Sequence, residues 1–149
     1  MQRALRLAPW ALSAWIAYIY VWYLQYKFTG HPGSVDLFTT LTDWLGFAGH
    51  EKAMRIGTGS VELAASILLF VPRAQVFGAA LSLAIMTGAI FFHLASPLGV
   101  DPYSDGGVLF KEACVTWLAS VAILVLRRRE AIDHLERLPV VGPVVARLA

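Results

Sequence analysis

Four apolar stretches crowd into a chain of 149 residues, at 9–26, 56–71, 74–94 and 108–126. Each is close to the ~20 residues a helix needs to cross the ~30 Å hydrocarbon layer of a membrane. Backbone polar groups cannot stay unpaired in lipid, so stretches of this kind must be helical. The expected fold is all-α: an integral membrane four-helix bundle, with a short interfacial helix between the first and second spans. A composition of 58% hydrophobic and 15% charged residues lies outside the range of ordinary soluble domains. Four spans leave little for a second unit, so residues 1–149 read as one transmembrane domain. Arg3 and Arg6 precede the first stretch much as they would a secretory signal. The stretch is too long and too aromatic for one, however, and no small-x-small cleavage pattern follows near Lys27. It reads as a retained helix.

Charge sets the orientation. Arg3 and Arg6 lie before the first span, Arg73 between the second and third, and Arg127, Arg128 and Arg129 directly after the fourth. The connection 96–107 carries Asp101 and Asp105 and no basic residue. The positive-inside rule then puts both termini in the cytoplasm, as in a bacterial-type inner membrane. Lys27, Lys52 and Arg55 fall on the outer side in this arrangement and are outweighed by the arginine cluster. That cluster is explained by attraction to anionic lipid, and without a basic stripe on a reading element no nucleic-acid partner is implied. The lone Cys114 excludes an internal disulfide or a C-x-x-C relay, and reads as a small buried hydrophobe.

The connections have their own logic. Gly30, Pro32 and Gly33 mark a turn, after which Ser34 is placed to cap a short helix with Leu37, Leu41, Trp44 and Leu45 on one face. Such a helix lies on the membrane surface or folds back as a lid over the bundle. Ala74, Gly78 and Ser82, then Ala84 and Gly88, recur at four-residue spacing and allow close helix–helix approach. The aspartates of 96–107 do not have the spacing of a calcium loop and fit Asx turns. Residues 127–149 read as a cytoplasmic amphipathic tail, broken at Pro139 and Pro143.

Polar residues fall into helical faces. These are Arg55, Thr58, Glu62 and Ser66 on the second span, Ser82, Met86, Ala89 and His93 on the third, and Glu112, Thr116 and Ser120 on the fourth, with Lys111 adjacent. On the first span Trp15, Tyr18, Trp22 and Gln25 follow the same rule. Under the alternating topology every ionisable group inside the spans falls in the outer half. Buried charges must be paired, so Glu62 is expected to pair with Lys27 or Lys111 rather than with Arg55, two turns away on its own helix. The cluster is then either a set of bridges locking the helices together or a polar pocket open to the outer leaflet. Haem is disfavoured, because His31 and His50 lie in a connection and His134 in the tail, leaving His93 without a second axial ligand. A metal held by Glu62, His93 and Glu112 is chemically allowed but enforced by no spacing.

The ordered set Tyr26-Lys-Phe-Thr-Gly30, Arg55-Ile-Gly-Thr-Gly-Ser-Val-Glu62 and Gly88-Ala-Ile-Phe-Phe-His93 resembles the DoxX-like family of small four-helix membrane proteins. The resemblance spans about 11–129. Founding members of that family are similar to the membrane subunit of a thiosulfate:quinone oxidoreductase, others are associated with oxidative stress or sulfur metabolism, and more distant relatives act as assembly factors. The family's lysine and glutamate positions fall on Lys27 and Glu62, and its histidine on His93. The function this implies is a redox accessory subunit handling quinone or a small sulfur species. Glu62 and His93 would exchange protons, and Lys27, Arg55, Lys111 and Glu112 would bind the substrate. Its partners would be the lipid bilayer, a membrane or soluble redox protein, or a second copy of the chain. The alternative is a non-catalytic assembly protein with a purely structural charge cluster.

Overall fold

The computed structural model describes residues 2–136, which fold into six helices with no strand among them. The helices are α1 (Gln2–Thr29), α2 (Pro32–Trp44), α3 (Glu51–Leu69), α4 (Gln75–Ala95), α5 (Val108–Leu126) and α6 (Arg128–Glu136). Three segments are long and apolar enough to cross a membrane: Leu7–Thr29 within α1, Gln75–Ala95 and Val108–Leu126. The expected second span differs. Helix α3 starts ahead of residue 56 and takes in Glu51, Lys52 and Arg55 beside Glu62, so its composition alone does not mark it as a span.

The long helices pack in a ring, α1 on α3, α3 on α4, α4 on α5 and α5 back on α1. Ile16, Tyr20, Ala65, Leu69, Ala79, Met86, Ala113, Ala119 and Ile123 fill the space between them. Large apolar side chains also point outward, among them Leu7, Val21, Ile67, Leu118 and Val125. Apolar surface so widely spread is costly in water and is what a lipid-facing exterior requires.

The polar faces read on α3, α4 and α5 point inward: Arg55, Glu62, Ser66, Ser82, His93, Thr116 and Ser120 are all buried. Helix α1 is turned the other way. Trp15, Tyr18 and Trp22 are exposed, and the buried face is Ser13, Ile16, Tyr20 and Leu24. Aromatic residues occur all around this helix, so their period does not reveal which side is inside. Helix α2 begins at Pro32 with His31 as its cap, Nδ1 accepting from Gly33 N at 3.3 Å, rather than with Ser34. Proline is pre-organised for a first helical position. The buried face of α2 is Ser34, Phe38, Leu41 and Thr42, with Trp44 and Leu45 exposed. Cys114 is half-buried. Of the expected tail, α6 is seen; residues 137–149, including both prolines, lie outside the described residues.

One close approach shapes the interior. A Cβ on Gly78 would lie 2.7 Å from Leu69 N, so α3 and α4 touch backbone to backbone beside their short connection. A Cβ on Gly88 would meet nothing within 4 Å. The first set of small residues therefore closes the helix pair, and the second leaves space. Gly78→Ala should destabilise the fold by about 1–3 kcal/mol through overpacking against unyielding backbone, whereas Gly88→Ala should not. Thermal unfolding of the two variants in detergent checks this, and equal stability would contradict the wedge.

Candidate functional site

The space that Gly88 leaves is part of a cavity of about 770 Å³. Its walls come from α1 (Tyr20, Tyr23, Lys27), α3 (Thr58, Val61, Glu62), α4 (Ala84, Gly88, His93) and α5 (Leu109, Glu112). Helix α2 covers it with Ser34, Leu37, Phe38 and Leu41. Trp22, Val61 and Ala84 on the long helices, with His31, Tyr103 and Asp105, are exposed and also line it, so the cavity reaches the surface. The connection between α4 and α5 closes the roof. Tyr103 lines the cavity and its hydroxyl donates to the Gly33 carbonyl of α2 at 2.9 Å. Desolvation, with the Asp36 and Asp105 carboxylates nearby, raises the Tyr103 phenol above its ordinary value and keeps it a neutral donor.

Lys27 and Glu62 face each other inside this cavity. The ammonium donates to both carboxylate oxygens, at 3.0 and 2.8 Å, with only 5% of the Glu62 side chain exposed. The pairing expected for Glu62 is met by Lys27, from a different helix. Arg55 is committed elsewhere: Nε bonds Glu51 at 2.9 Å, and Nη1 donates to the Lys27 carbonyl in the last turn of α1. A cation there satisfies a helix-terminal carbonyl and complements the helix dipole. Arg55 is buried but does not line the cavity, and Lys111 is exposed and does not line it either. Of the three cations expected to hold a ligand, the fold brings only Lys27 to the site.

Glu112 lines the cavity and accepts a 2.6 Å hydrogen bond from Tyr23. Among the described residues no lysine or arginine pairs with it. His93 is only 4% exposed, its ring edge-on to Phe110 and its Nδ1 2.6 Å from the Gly99 carbonyl. A carbonyl only accepts, so Nδ1 carries the proton, and in the neutral ring Nε2 is left as a lone-pair acceptor. Nε2 has no protein partner, and the ring lines the cavity.

Tyr20 lines the cavity as well, its hydroxyl 2.8 Å from Ser82 Oγ, which in turn accepts from Ser120 at 2.9 Å. Farther along, Gln75 bonds Ser13 at 3.0 Å. These groups are neutral, so the acidic, basic and histidine side chains of the cavity gather at the end that carries α2 and the 96–107 connection. Among the described residues no group of three or more His, Cys, Asp or Glu could hold a metal ion.

Tyr20, Tyr23, Phe38 and Tyr103 escaped the sequence reading. A tyrosine at the period of Ser13, Ile16 and Tyr20 was the available signal on α1, masked by Trp15, Tyr18 and Trp22 on the opposite side. No protein-family model, curated protein or solved structure matches this chain.

Proposed function

We propose that the protein is a DoxX-like membrane redox accessory subunit whose cavity takes a quinone-class ring ligand. The observation that carries this reading is the cavity itself: aromatic and aliphatic walls around a few polar groups, with exposed lining residues that include the apolar Trp22, Val61 and Ala84. Binding sites for small lipophilic molecules have this construction. A planar ring with an apolar tail would enter beside Trp22, Val61 and Ala84 and place its polar edge near Lys27, Glu62, His93 and Glu112. The sulfur alternative is weaker on charge. One ammonium, already held by Glu62, stands against three lining carboxylates, Glu62, Asp105 and Glu112, and an oxyanion of sulfur would meet net repulsion.

In this reading α3 crosses the bilayer with the other three long helices. Its ionisable residues Arg55 and Glu62 face inward, while Val61, Leu63, Ile67 and Phe70 face out. Intramembrane charges are placed in this way when they are paired inside a bundle. Both termini would then lie in the cytoplasm and α2 at the outer surface of an inner membrane, roofing the cavity. A reporter fused after Ala149 should report cytoplasm and one inserted beside Asp101 the exterior; the opposite pattern would overturn the sidedness.

The ligand reading is tested on the purified chain. Mass spectrometry of co-purifying small molecules should find a quinone-class compound, and a short-tailed benzoquinone–benzohydroquinone couple should raise the melting temperature. A ligand-free protein indifferent to both members of the couple would instead support the assembly-protein reading. That reading draws on Arg55, which Glu51 holds from its own helix while its bond to the Lys27 carbonyl fastens α3 to α1.

A further inference from the structure

The turn after α2 carries large apolar side chains where a turn in water would carry polar ones. Trp44, Leu45 and Phe47 are 40%, 38% and 62% exposed. Three such side chains within four residues are costly to leave in water. Polar residues stand to either side of them, Asp43 before and His50, Glu51 and Lys52 after. The backbone of the turn is largely closed on itself. The N–H groups of Leu45, Gly46, Phe47 and His50 donate to the carbonyls of Leu41, Asp43, Thr42 and Phe47. His50 Nδ1 lies 3.2 Å from the carbonyls of both Phe47 and Ala48. Backbone paired in this way suits the edge of a hydrocarbon layer, where unpaired groups are costly.

Helix geometry fixes the height of this turn. Leu69 and Gly78 meet backbone to backbone and so share one level. Eighteen residues of α3 lead from Leu69 to Glu51 and seventeen of α4 from Gly78 to Ala95, a climb of about 26 Å in each case. Glu51 and Ala95 therefore end at the same height. The Trp44 ring packs on Phe91 and Phe92, at 6.2 and 6.1 Å between centroids, one helical turn below it. Leu45 and Phe47 lie between Trp44 and Glu51 in the chain, and so at the height of the last turn of α4. Phe91 and Leu94 of that turn are exposed too, so the apolar tip continues the apolar exterior of α4.

We infer that residues 44–47 are a wedge seated in the outer leaflet of the membrane, at the edge of its hydrocarbon layer, and that this wedge holds α2 down over the cavity. Aromatic rings favour that depth, and a polar rim beside an apolar tip suits a segment lying at the boundary. The link to the cavity is short. Phe92 touches the Trp44 ring and lines the cavity, and Leu41, one turn before Trp44 on α2, is buried and lines it as well. The inference rests on the reading of the long helices as membrane spans, and adds that the bilayer itself takes part in roofing the site.

The test uses the full chain in nanodiscs of phosphatidylethanolamine and phosphatidylglycerol, with Cys114→Ala removing the natural thiol. A nitroxide is attached in turn through Phe47→Cys, Leu118→Cys on the outward side of α5, and Asp36→Cys on the exposed side of α2. Accessibility to oxygen, which concentrates in lipid, is compared with accessibility to a water-soluble nickel chelate. The oxygen-to-nickel ratio at position 47 should exceed that at position 36 by several-fold and approach the ratio at position 118. Equal ratios at 47 and 36, with 118 in lipid, overturn the wedge and leave the membrane reading standing. A nickel-accessible label at 118 overturns both. The hold on the roof is read from Leu41→Cys, whose thiol a membrane-impermeant maleimide should reach slowly. Adding Phe47→Gln should speed that reaction several-fold, and adding Phe47→Leu should not. An unchanged rate in the glutamine variant overturns the link to the cavity roof. Leu45→Gln reads the same link if Phe47→Gln fails to fold.

Discussion

Glu62→Gln is expected to destabilise the folded protein by about 3–5 kcal/mol, the range for removing one partner of a buried ion pair. The reason is the ammonium left behind. Lys27 has 14% of its side chain exposed and gives two of its donors to the Glu62 carboxylate. An amide offers one oxygen and no charge in return. Arg55 already donates to the Lys27 backbone carbonyl, and its guanidinium holds a second positive charge beside this end of α1. Changing both Lys27 and Glu62 to methionine should recover most of the loss, because paired apolar substitutes avoid desolvating any charge. Detergent-titrated unfolding of the single and double variants measures both effects. A single variant as stable as the natural chain would mean that the pair is not a structural lock. Glu62 would then be free for the proton exchange expected of it.

How much of this was legible in the sequence depends on how many kinds of residue compete for a helix face. On α3 a single polar line, Arg55, Thr58, Glu62 and Ser66, runs down an otherwise small or apolar helix, and three of its four residues are buried. His93 and Ser82 on α4, and Thr116 and Ser120 on α5, were equally plain and are equally buried. Helix α1 was ambiguous because a tryptophan or tyrosine serves both at the lipid surface and as a hydroxyl or indole turned inward. Helix α2 has apolar residues on adjoining faces, and packing against α3 and α1 selected the face one step round, centred on Phe38. Its buried Thr42 is tolerated because the hydroxyl returns to the Phe38 carbonyl at 2.9 Å. The cation roles could not be read at all. Lys27, Arg55 and Lys111 stand near the same end of the long helices, and what separates them is a backbone carbonyl of α1 that claims Arg55 and a place on the outward side of the first turn of α5 that leaves Lys111 exposed.

The cavity is the feature that sets a ligand-binding protein apart from a scaffold, and filling it separates the two directly. Gly88 lies on the α4 wall with nothing within 4 Å of the position its Cβ would take. Gly88→Phe projects a ring into space that is otherwise empty of protein and replaces the weakest ordinary helix former. The melting temperature should therefore hold or rise, as expected where a void is filled without displacing neighbours. Ligand affinity should fall by about 100-fold or more, the equivalent of roughly 2.7 kcal/mol of lost contact and enclosure. The same substitution leaves Lys27, Glu62, His93 and Glu112 chemically intact, so any loss of binding is attributable to volume. A scaffold reading predicts that activity in cells survives Gly88→Phe, because the lipid-facing surfaces available to a partner are unchanged. Survival of binding or of cellular function at full strength, in a variant shown to be folded, would remove the cavity from the mechanism and leave the charge cluster as architecture.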